Sequence, residues 1–151
     1  MRYPTISVTL LFLLLIQAAP ASASAIPGYW RTIDDATGKT KSIVELYEVG
    51  ETGLEGRVTE ILHSDRGPDP LCENCPGKRK GQPIKGMVIL WDMDKQAPRE
   101  YSGGRILDPA RGKVYKARLS LREDGKLEVR GFIGIPLLGR TQVWEPLKGE
   151  P

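Results

Sequence analysis

The sequence predicts an all-β protein that folds as a single eight-stranded antiparallel up-and-down β-barrel. Turn-forming residues recur about every dozen positions from Gly28 onward, and the segments between them are short and rich in β-branched and aromatic residues. Several segments alternate apolar and polar residues, which is typical of strands with one buried face. Sequential strands of this kind can close into a barrel without exposed edges, although the same pattern also permits a two-sheet sandwich.

Residues 1–25 have the layout of a secretory signal peptide. A basic residue lies beside the amino terminus, residues 6–16 are an apolar run, and small residues including Ala23 and Ala25 offer cleavage sites. Cleavage after either alanine would leave residues 26–151 as the barrel domain of a periplasmic or secreted protein. The apolar run is too short for a lasting membrane span, although an uncleaved membrane anchor is the alternative.

The composition limits the number of domains and the kinds of partner. Residues 26–151 suit one domain with one hydrophobic core. The chain has 22 Lys and Arg against 19 Asp and Glu, and this net charge of +3 is too small for a nucleic-acid-binding domain. We therefore expect no nucleic-acid partner, no stable membrane span, and a monomer or weak dimer.

Turn chemistry sets the limits of the predicted strands. Residues 35–38 end the first strand, and residues 92–98 turn the chain after the fourth. After the fifth strand, Pro109 suits the first central position of a type I turn and Gly112 suits a left-handed position. Residues 123–125 are typical of a hairpin turn. The predicted strands are residues 28–34, 41–49, 54–62, 84–91, 99–107, 113–122, 127–135 and 140–147.

The sixth and seventh strands show the clearest alternation. One face of the sixth is apolar, whereas Lys116, Arg118 and Ser120 occupy the other face. The residues predicted to face one way in these two strands are Tyr115, Ala117, Leu119, Leu121, Leu127, Val129, Gly131, Ile133 and Ile135.

The second and fourth strands are less regular. Residues 41–49 also fit a helical stripe, but their shortness and the lack of capping residues favour a strand. Residues 87–91 are apolar on both faces, so we expect another part of the chain to cover their outer side. Gly103 and Gly104 lie where a strand could bend sharply around the barrel closure.

Residues 63–83 form a long connection that contains both cysteines, Cys72 and Cys75. The first interpretation is a local disulfide, which would contribute only ~2 kcal/mol because the ring is so small. A thioredoxin-like redox site is the second, but no helix follows Cys75 to lower the pKa of a thiolate. A metal site is the third, and His63 would supply at most a third ligand. We expect the disulfide and no bound metal.

Motifs for catalysis are scarce. His63 is the only histidine, and no serine lies in a Gly-x-Ser-x-Gly turn. Asp34 and Asp35 form a carboxylate pair, but they fall at a turn, where Asp commonly bonds its own backbone. We therefore expect no enzymatic activity and no cofactor, although an acid–base pair assembled from distant strands is the alternative.

Five short motifs occur in a characteristic order along the chain. They are Gly28-Tyr29-Trp30, Cys72-x-x-Cys75-Pro76, Gly103-Gly104-x-Ile106-Leu107-Asp108-Pro109-x-x-Gly112-Lys113-x-Tyr115, Arg130-Gly131-x-Ile133-Gly134 and Arg140-Thr141-Gln142-x-Trp144. Together they resemble the exported bacterial family called domain of unknown function 2147. The resemblance covers nearly all of residues 26–151, and it implies a lipocalin-like (calycin-like) barrel in a bacterial protein. No activity is implied, because none is established for that family.

The resemblance also implies a structural pair. In lipocalins an Arg from the end of the barrel packs on the Trp of the first strand, and Arg140 and Trp30 are the corresponding candidates here. A guanidinium over an indole gains ~0.5–2 kcal/mol. Residues 145–151 are too short for the helix that flanks a lipocalin barrel, so we expect no substantial C-terminal helix.

The expected function is passive binding of a small apolar or amphipathic ligand inside the barrel, with the long loop as a lid. The alternative is a filled barrel that serves as a protein-interaction or envelope-stress module, since eight strands can enclose either one small ligand or only side chains. The predicted ligand-binding residues are Val58, Met87, Val88, Tyr115, Leu119, Leu127, Val129 and Ile133.

Overall fold

The computed structural model describes residues 25–151 and forms a closed barrel in which every strand is antiparallel to the next and β8 pairs back with β1. This confirms the predicted eight-stranded up-and-down barrel rather than the sandwich. The predicted signal peptide lies outside the described residues, apart from Ala25. The strands are β1 (Gly28–Ile33), β2 (Thr40–Val49), β3 (Gly53–Ile61), β4 (Val88–Ala97), β5 (Glu100–Asp108), β6 (Lys113–Leu121), β7 (Leu127–Phe132) and β8 (Gly139–Leu147).

The fourth strand is longer than predicted. The expected turn at 92–98 is wrong, because β4 continues through two aspartates to Ala97. Asp92 takes a positive φ of 55°, which lets the strand pass through a distortion instead of ending. Gly104 on β5 lies against this distortion, and a Cβ there would clash with the backbone of Trp91 and Asp92. The glycine therefore permits the two strands to stay paired.

The seventh strand is shorter than predicted. It ends at Phe132, and the chain then reverses through residues 133–138, where the Ile133 amide donates to the Leu138 carbonyl at 3.4 Å. Pro136 lies at the centre of this reversal and cannot donate to a strand ladder. Ile133 and Ile135 are consequently exposed, at 66% and 55%, instead of facing the barrel interior. The inward orientation expected for both residues is therefore wrong.

One end of the barrel is filled with large side chains. We call it the closed end, and it carries the β2–β3, β4–β5 and β6–β7 turns together with both chain termini of the described segment. The Trp30 indole donates a hydrogen bond to the carbonyl of Ile26 at 2.9 Å, so the segment before β1 also covers this end. The buried residues that fill it are Ile26, Trp30, Leu46, Leu54, Met93, Tyr101, Leu121, Leu127 and Trp144.

The predicted contact between Trp30 and Arg140 is absent from the barrel. Trp30 on β1 lies opposite Pro146 at the closed end, whereas Arg140 lies at the start of β8, opposite Gly131. The Arg140 Nε donates instead to Asp35 Oδ2 at 2.6 Å, at the other end of β1. The prediction of a closing contact is therefore wrong, because the two residues lie near opposite ends of the strand pair.

The β3–β4 loop, residues 62–87, folds into a compact unit. Cys72 and Cys75 are joined by a disulfide and are both buried, which confirms the predicted pairing. The Cys72 amide donates to the Gln82 carbonyl at 2.8 Å, and the Gly81 amide donates to the Cys72 carbonyl at 2.9 Å. These bonds and the disulfide explain how so long a connection stays ordered.

The disulfide part of this loop packs on the outer surface of the barrel. Cys72 Sγ lies 3.6 Å from the Pro109 carbonyl oxygen, and the Arg79 guanidinium lies 4.2 Å from the ring centroid of Trp91. Leu107 and Val114 pair on the outward face of β5 and β6, and Leu107 is buried although it faces away from the interior. The loop thus covers the outer face of β4–β6. Residues 63–66, Pro70 and Ile84 of the loop line the barrel mouth, and a lid role for them stays a prediction.

Candidate functional site

The barrel contains a cavity of about 1150 Å³ that opens at the end opposite the filled one. We call this the open end, and it carries the β1–β2, β3–β4, β5–β6 and β7–β8 connections. Trp144 belongs to the layer that fills the closed end and forms the floor of the cavity, and Val129 lines the cavity just above it. Only one half of the barrel is therefore filled.

One wall of the cavity is apolar, and strand register explains why. Val44 pairs with Val58, and Ile106 pairs with Tyr115, so these directly opposed residues share a face of the sheet. A Cβ at Gly131 would lie 3.5 Å from Ile106 and 3.4 Å from Tyr115, which places all three on the inner face. The apolar wall consists of Val58, Ile61, Ile106, Tyr115 and Val129.

The opposite wall, on β8, β1 and β2, is polar. The hydroxyl oxygens of Thr32 and Ser42 lie 2.8 Å apart, and this pair faces inward because it continues the alternation that buries Trp30 and Val44. On β8, Gln142 Oε1 accepts a hydrogen bond from Trp144 Nε1 at 3.2 Å. Arg140 on β8 lies opposite inward-facing Gly131 and also lines the cavity, where it is paired with Asp35. Deeper in the wall, Thr32, Ser42 and Gln142 offer neutral donors and acceptors.

Charged residues surround the mouth, mostly as ion pairs. Lys41 Nζ lies 3.3 Å from Asp34 Oδ2, and Arg111 Nη1 lies 3.4 Å from Asp108 Oδ2. Hydrogen bonds from the backbone amide and the hydroxyl of Thr37, aided by Lys41, lower the pKa of Asp34 to about 2. In these two ion pairs the positive and negative charges cancel. Because the four side chains are partly exposed to solvent, each pair contributes little to stability.

The structure separates the predicted ligand-binding residues into two groups. Val58, Tyr115 and Val129 line the cavity, and Ile133 reaches its mouth from the exposed β7–β8 loop. The others lie away from the cavity lining. They are Met87, Leu119 and Leu127, which are buried, and Val88, which is half-buried.

Sequence reasoning missed Thr32, Ser42 and Gln142. Each is polar, and each lies two residues from an inward apolar residue on its own strand: Trp30, Val44 and Trp144 respectively. A polar residue in phase with buried aromatic or branched residues is the signal that would have identified them.

Within residues 25–151, no group of three or more His, Cys, Asp or Glu side chains is arranged to hold a metal ion. In the same part of the chain, no helix has both the length and the apolar character needed to cross a membrane.

Comparison with solved structures supports a lipocalin-type barrel. The structure is similar to protein HP1028 from the human pathogen Helicobacter pylori, which is described as belonging to the lipocalin family, with a TM-score of 0.70 and 26% sequence identity. The match covers 81% of this chain and 82% of that chain. No curated protein matches the sequence.

A family model matches residues 28–146, which include all eight strands except the last residue of β8. The family is described as "Uncharacterized protein conserved in bacteria (DUF2147)". The match confirms the resemblance drawn from the five motifs. This chain belongs to the DUF2147 family and has a lipocalin-like fold.

Proposed function

We propose that this protein binds a small amphipathic molecule in the open half of its barrel. The observation that carries the proposal is the two-sided lining of the cavity, with Val58, Ile106 and Val129 on one side and Thr32 and Gln142 on the other. Thr32 bonds Ser42 and Gln142 bonds Trp144, but each side chain keeps further hydrogen-bonding capacity. A purely apolar ligand would remove water from these groups without using that capacity, which weakens binding.

The size of the cavity supports a ligand rather than a few water molecules. Pockets that bury drug-sized molecules have volumes of roughly 300–1,000 Å³, and this cavity reaches about 1150 Å³. An apolar segment of the ligand would lie on the Val58–Val129 side above Trp144. Its uncharged polar groups would bond the Thr32 and Ser42 hydroxyls, the Gln142 amide or the Tyr115 phenol.

Binding of this kind is passive. Burial of apolar surface supplies about 25 cal/mol per Å², and the neutral polar wall selects among ligands by hydrogen bonding. The proposed role needs neither a cofactor nor a covalent step. The filled-barrel alternative applies to the closed half, where Trp30, Tyr101 and Trp144 occupy the interior.

We also propose that the protein is exported and acts in the periplasm or outside the cell. The signal-peptide layout of residues 1–25, the Cys72–Cys75 disulfide and membership of a bacterial family support this location. Cell fractionation tests this location. If the protein were found only in the cytoplasmic fraction, with residues 1–25 still attached, the proposal would be wrong.

Native mass spectrometry of protein purified from its own cell envelope tests the binding proposal. We expect a retained small molecule whose mass disappears after organic extraction. Titration of the extracted protein with a fluorescent fatty-acid analogue and with neutral amphipathic dyes should then give saturable binding at micromolar concentrations. If no molecule is retained and no probe of such a panel binds, the proposal is wrong.

A further inference from the structure

The β7–β8 loop, residues 133–138, exposes four large apolar side chains at the mouth of the cavity. Ile133, Ile135, Leu137 and Leu138 are 66%, 55%, 82% and 69% exposed. Single exposed apolar residues are ordinary on protein surfaces, but a contiguous group marks an interaction site. Ile133, Leu137 and Leu138 line the cavity mouth, but all four side chains are more than half exposed. A ligand inside the barrel would therefore leave most of this apolar surface in water.

The loop is held in a defined shape. Arg130 Nε donates to the Pro136 carbonyl at 2.7 Å, and its Nη2 donates to the Leu137 carbonyl at 3.3 Å. The Leu138 amide donates to the Ile135 carbonyl at 3.1 Å, which closes a tight turn. An apolar tip fixed in this way loses little conformational entropy when it is buried against a partner.

Positive charge lies beside this loop on the outward face of β5–β7. Arg105 pairs with Lys116, and Arg118 pairs with Arg130, so four cations form two adjacent cross-strand pairs. Among residues 25–151, no carboxylate lies within ion-pair distance of any of the four. Like charges directly opposite each other are destabilising, so this arrangement has a cost in the free protein.

We propose that this surface docks on an anionic lipid bilayer. The β7–β8 loop enters the boundary between headgroups and acyl chains, and Arg105, Lys116 and Arg118 contact lipid phosphates. Apolar insertion combined with juxtaposed basic residues is the usual basis of such peripheral binding. Docking in this orientation brings the cavity mouth to the membrane, because Ile133 and Leu137 belong to both the loop and the mouth.

Charge favours a bilayer over a second copy of the chain. A two-fold dimer through the loop would bring the same surface of each subunit together. The unpaired cations on β5 and β6 would then face an equally basic surface. An anionic membrane instead supplies the opposite charge and an apolar layer at the same depth.

Co-sedimentation with vesicles tests the proposal. We expect the purified protein to bind vesicles of equimolar phosphatidylcholine and phosphatidylglycerol, to bind phosphatidylcholine vesicles much less, and to be released by high salt. Replacing both Leu137 and Leu138 by Gln should weaken binding to anionic vesicles roughly tenfold or more. The pair Lys116→Gln and Arg118→Gln should have a similar effect.

Matched controls come from the closed end. Val49 is exposed at 44% there, so Val49→Gln removes an exposed apolar side chain without touching the loop. Lys95→Gln with Lys148→Gln removes two charges from that end, and both control variants should bind vesicles as the unmodified protein does. Thermal melts confirm that all variants are folded.

A dye that reports polarity gives an independent measurement of orientation. Attached at Leu137→Cys, it should shift to the blue on adding anionic vesicles, whereas the same dye at Val49→Cys should not respond. Absence of vesicle binding, or binding that the loop variants leave unchanged, would overturn the proposal. Concentration-dependent dimerisation abolished by the leucine variants, with no vesicle binding, would assign the loop to a second copy and overturn it as well.

Membrane docking and ligand binding can fail separately. Vesicle binding needs no molecule in the cavity, so a protein that binds vesicles but no amphipathic probe would support docking and contradict the proposed ligand-binding function.

Discussion

The hydroxyl oxygens of Thr32 and Ser42 lie 2.8 Å apart across the β1–β2 ladder, on the inner face of the barrel. Each hydroxyl can donate one hydrogen bond and accept two, so the pair retains capacity for a ligand while it satisfies itself. Thr32 is only 9% exposed, which places this capacity at the cavity wall rather than on the outer surface. A polar pair in this position gives the cavity a means of distinguishing amphipathic from purely apolar molecules.

Replacing Thr32 by Val removes the hydroxyl and nearly preserves the volume. We expect affinity for a neutral amphipathic probe to fall about fivefold, since one hydrogen bond contributes about 1 kcal/mol. Affinity for a hydrocarbon dye should be unchanged or higher. Thr59→Val is the matched control, because Thr59 is the extra residue of a bulge between β2 and β3, is not part of the cavity lining, and donates to the Ile43 carbonyl. Equal loss of both probes in the Thr32 variant would argue against a selective polar wall.

Adding bulk at two positions of β7 distinguishes the open half from the filled half. Val129→Trp introduces a large side chain where the cavity has space, so the melting temperature should change little while probe binding is lost. Leu127→Trp adds bulk to a fully buried layer and should destabilise by ~1–3 kcal/mol. Urea denaturation of both variants, with probe titration of each, measures the difference. Similar destabilisation by both would mean that the barrel is filled at both levels.

Trp30 and Arg140 should behave as independent residues. Trp30→Ala removes a buried aromatic ring and its bond to Ile26, and it should cost ~3–5 kcal/mol. Arg140→Ala breaks only an exposed ion pair with Asp35 and should cost less than about 1 kcal/mol. A double-mutant cycle on Trp30 and Arg140 should be additive within about 0.5 kcal/mol. Strong coupling between them would show that the strand register places them together after all.

The pKa of Asp34 predicts a specific acid sensitivity. Hydrogen bonds from Thr37 lower this pKa from the ordinary value of 3.8 to about 2, so ionised Asp34 stabilises the fold above pH 3.8. That contribution is lost as the pH falls through 3.8 towards 2. Asp34→Asn keeps the side-chain acceptor but cannot titrate. In urea denaturation across that window, we therefore expect the stability of this variant to depend less on pH than that of the unmodified protein.

The sequence predicted the fold well where one face of a strand is buried. On β6 and β7, Leu119 and Val129 alternate with charged residues, and period-two alternation is a direct consequence of one-sided burial. The prediction failed on β4, where Asp92 and Asp94 are residue types typical of turns. The strand continues there because a positive φ at Asp92 and small residues on β5 absorb the distortion, which no local pattern reports.

The site was predicted less completely than the fold, for two physical reasons. Strand register determines which end of the barrel a residue reaches. Leu127 therefore lies in the filled layer, whereas Val129, only two residues later, lines the cavity. Polar residues on a strand are ordinarily assigned to its outer face, so Thr32 and Gln142 were not predicted to line the cavity. Register also explains the misplaced Arg140, whose position relative to Trp30 is fixed only once the barrel closes.

Replacing both Cys72 and Cys75 by Ala should loosen the β3–β4 loop more than it destabilises the barrel. The small disulfide ring accounts for ~2 kcal/mol on the chain-entropy model, and the eight paired strands do not pass through it. Because both cysteines are buried against the outer face of β4–β6, a loosened loop should also uncover Trp91 and Leu107.

Hydrogen exchange followed by mass spectrometry measures this effect by region. We expect faster exchange at the Cys72 and Gly81 amides, which bond within the loop, and unchanged protection in the β6–β7 pair. Arg79→Gln is the control, because it removes the cation over Trp91 but keeps the disulfide, and it should accelerate exchange less. Global loss of protection in the double-alanine variant would contradict a local role, since it would mean that the barrel itself depends on the loop being fixed.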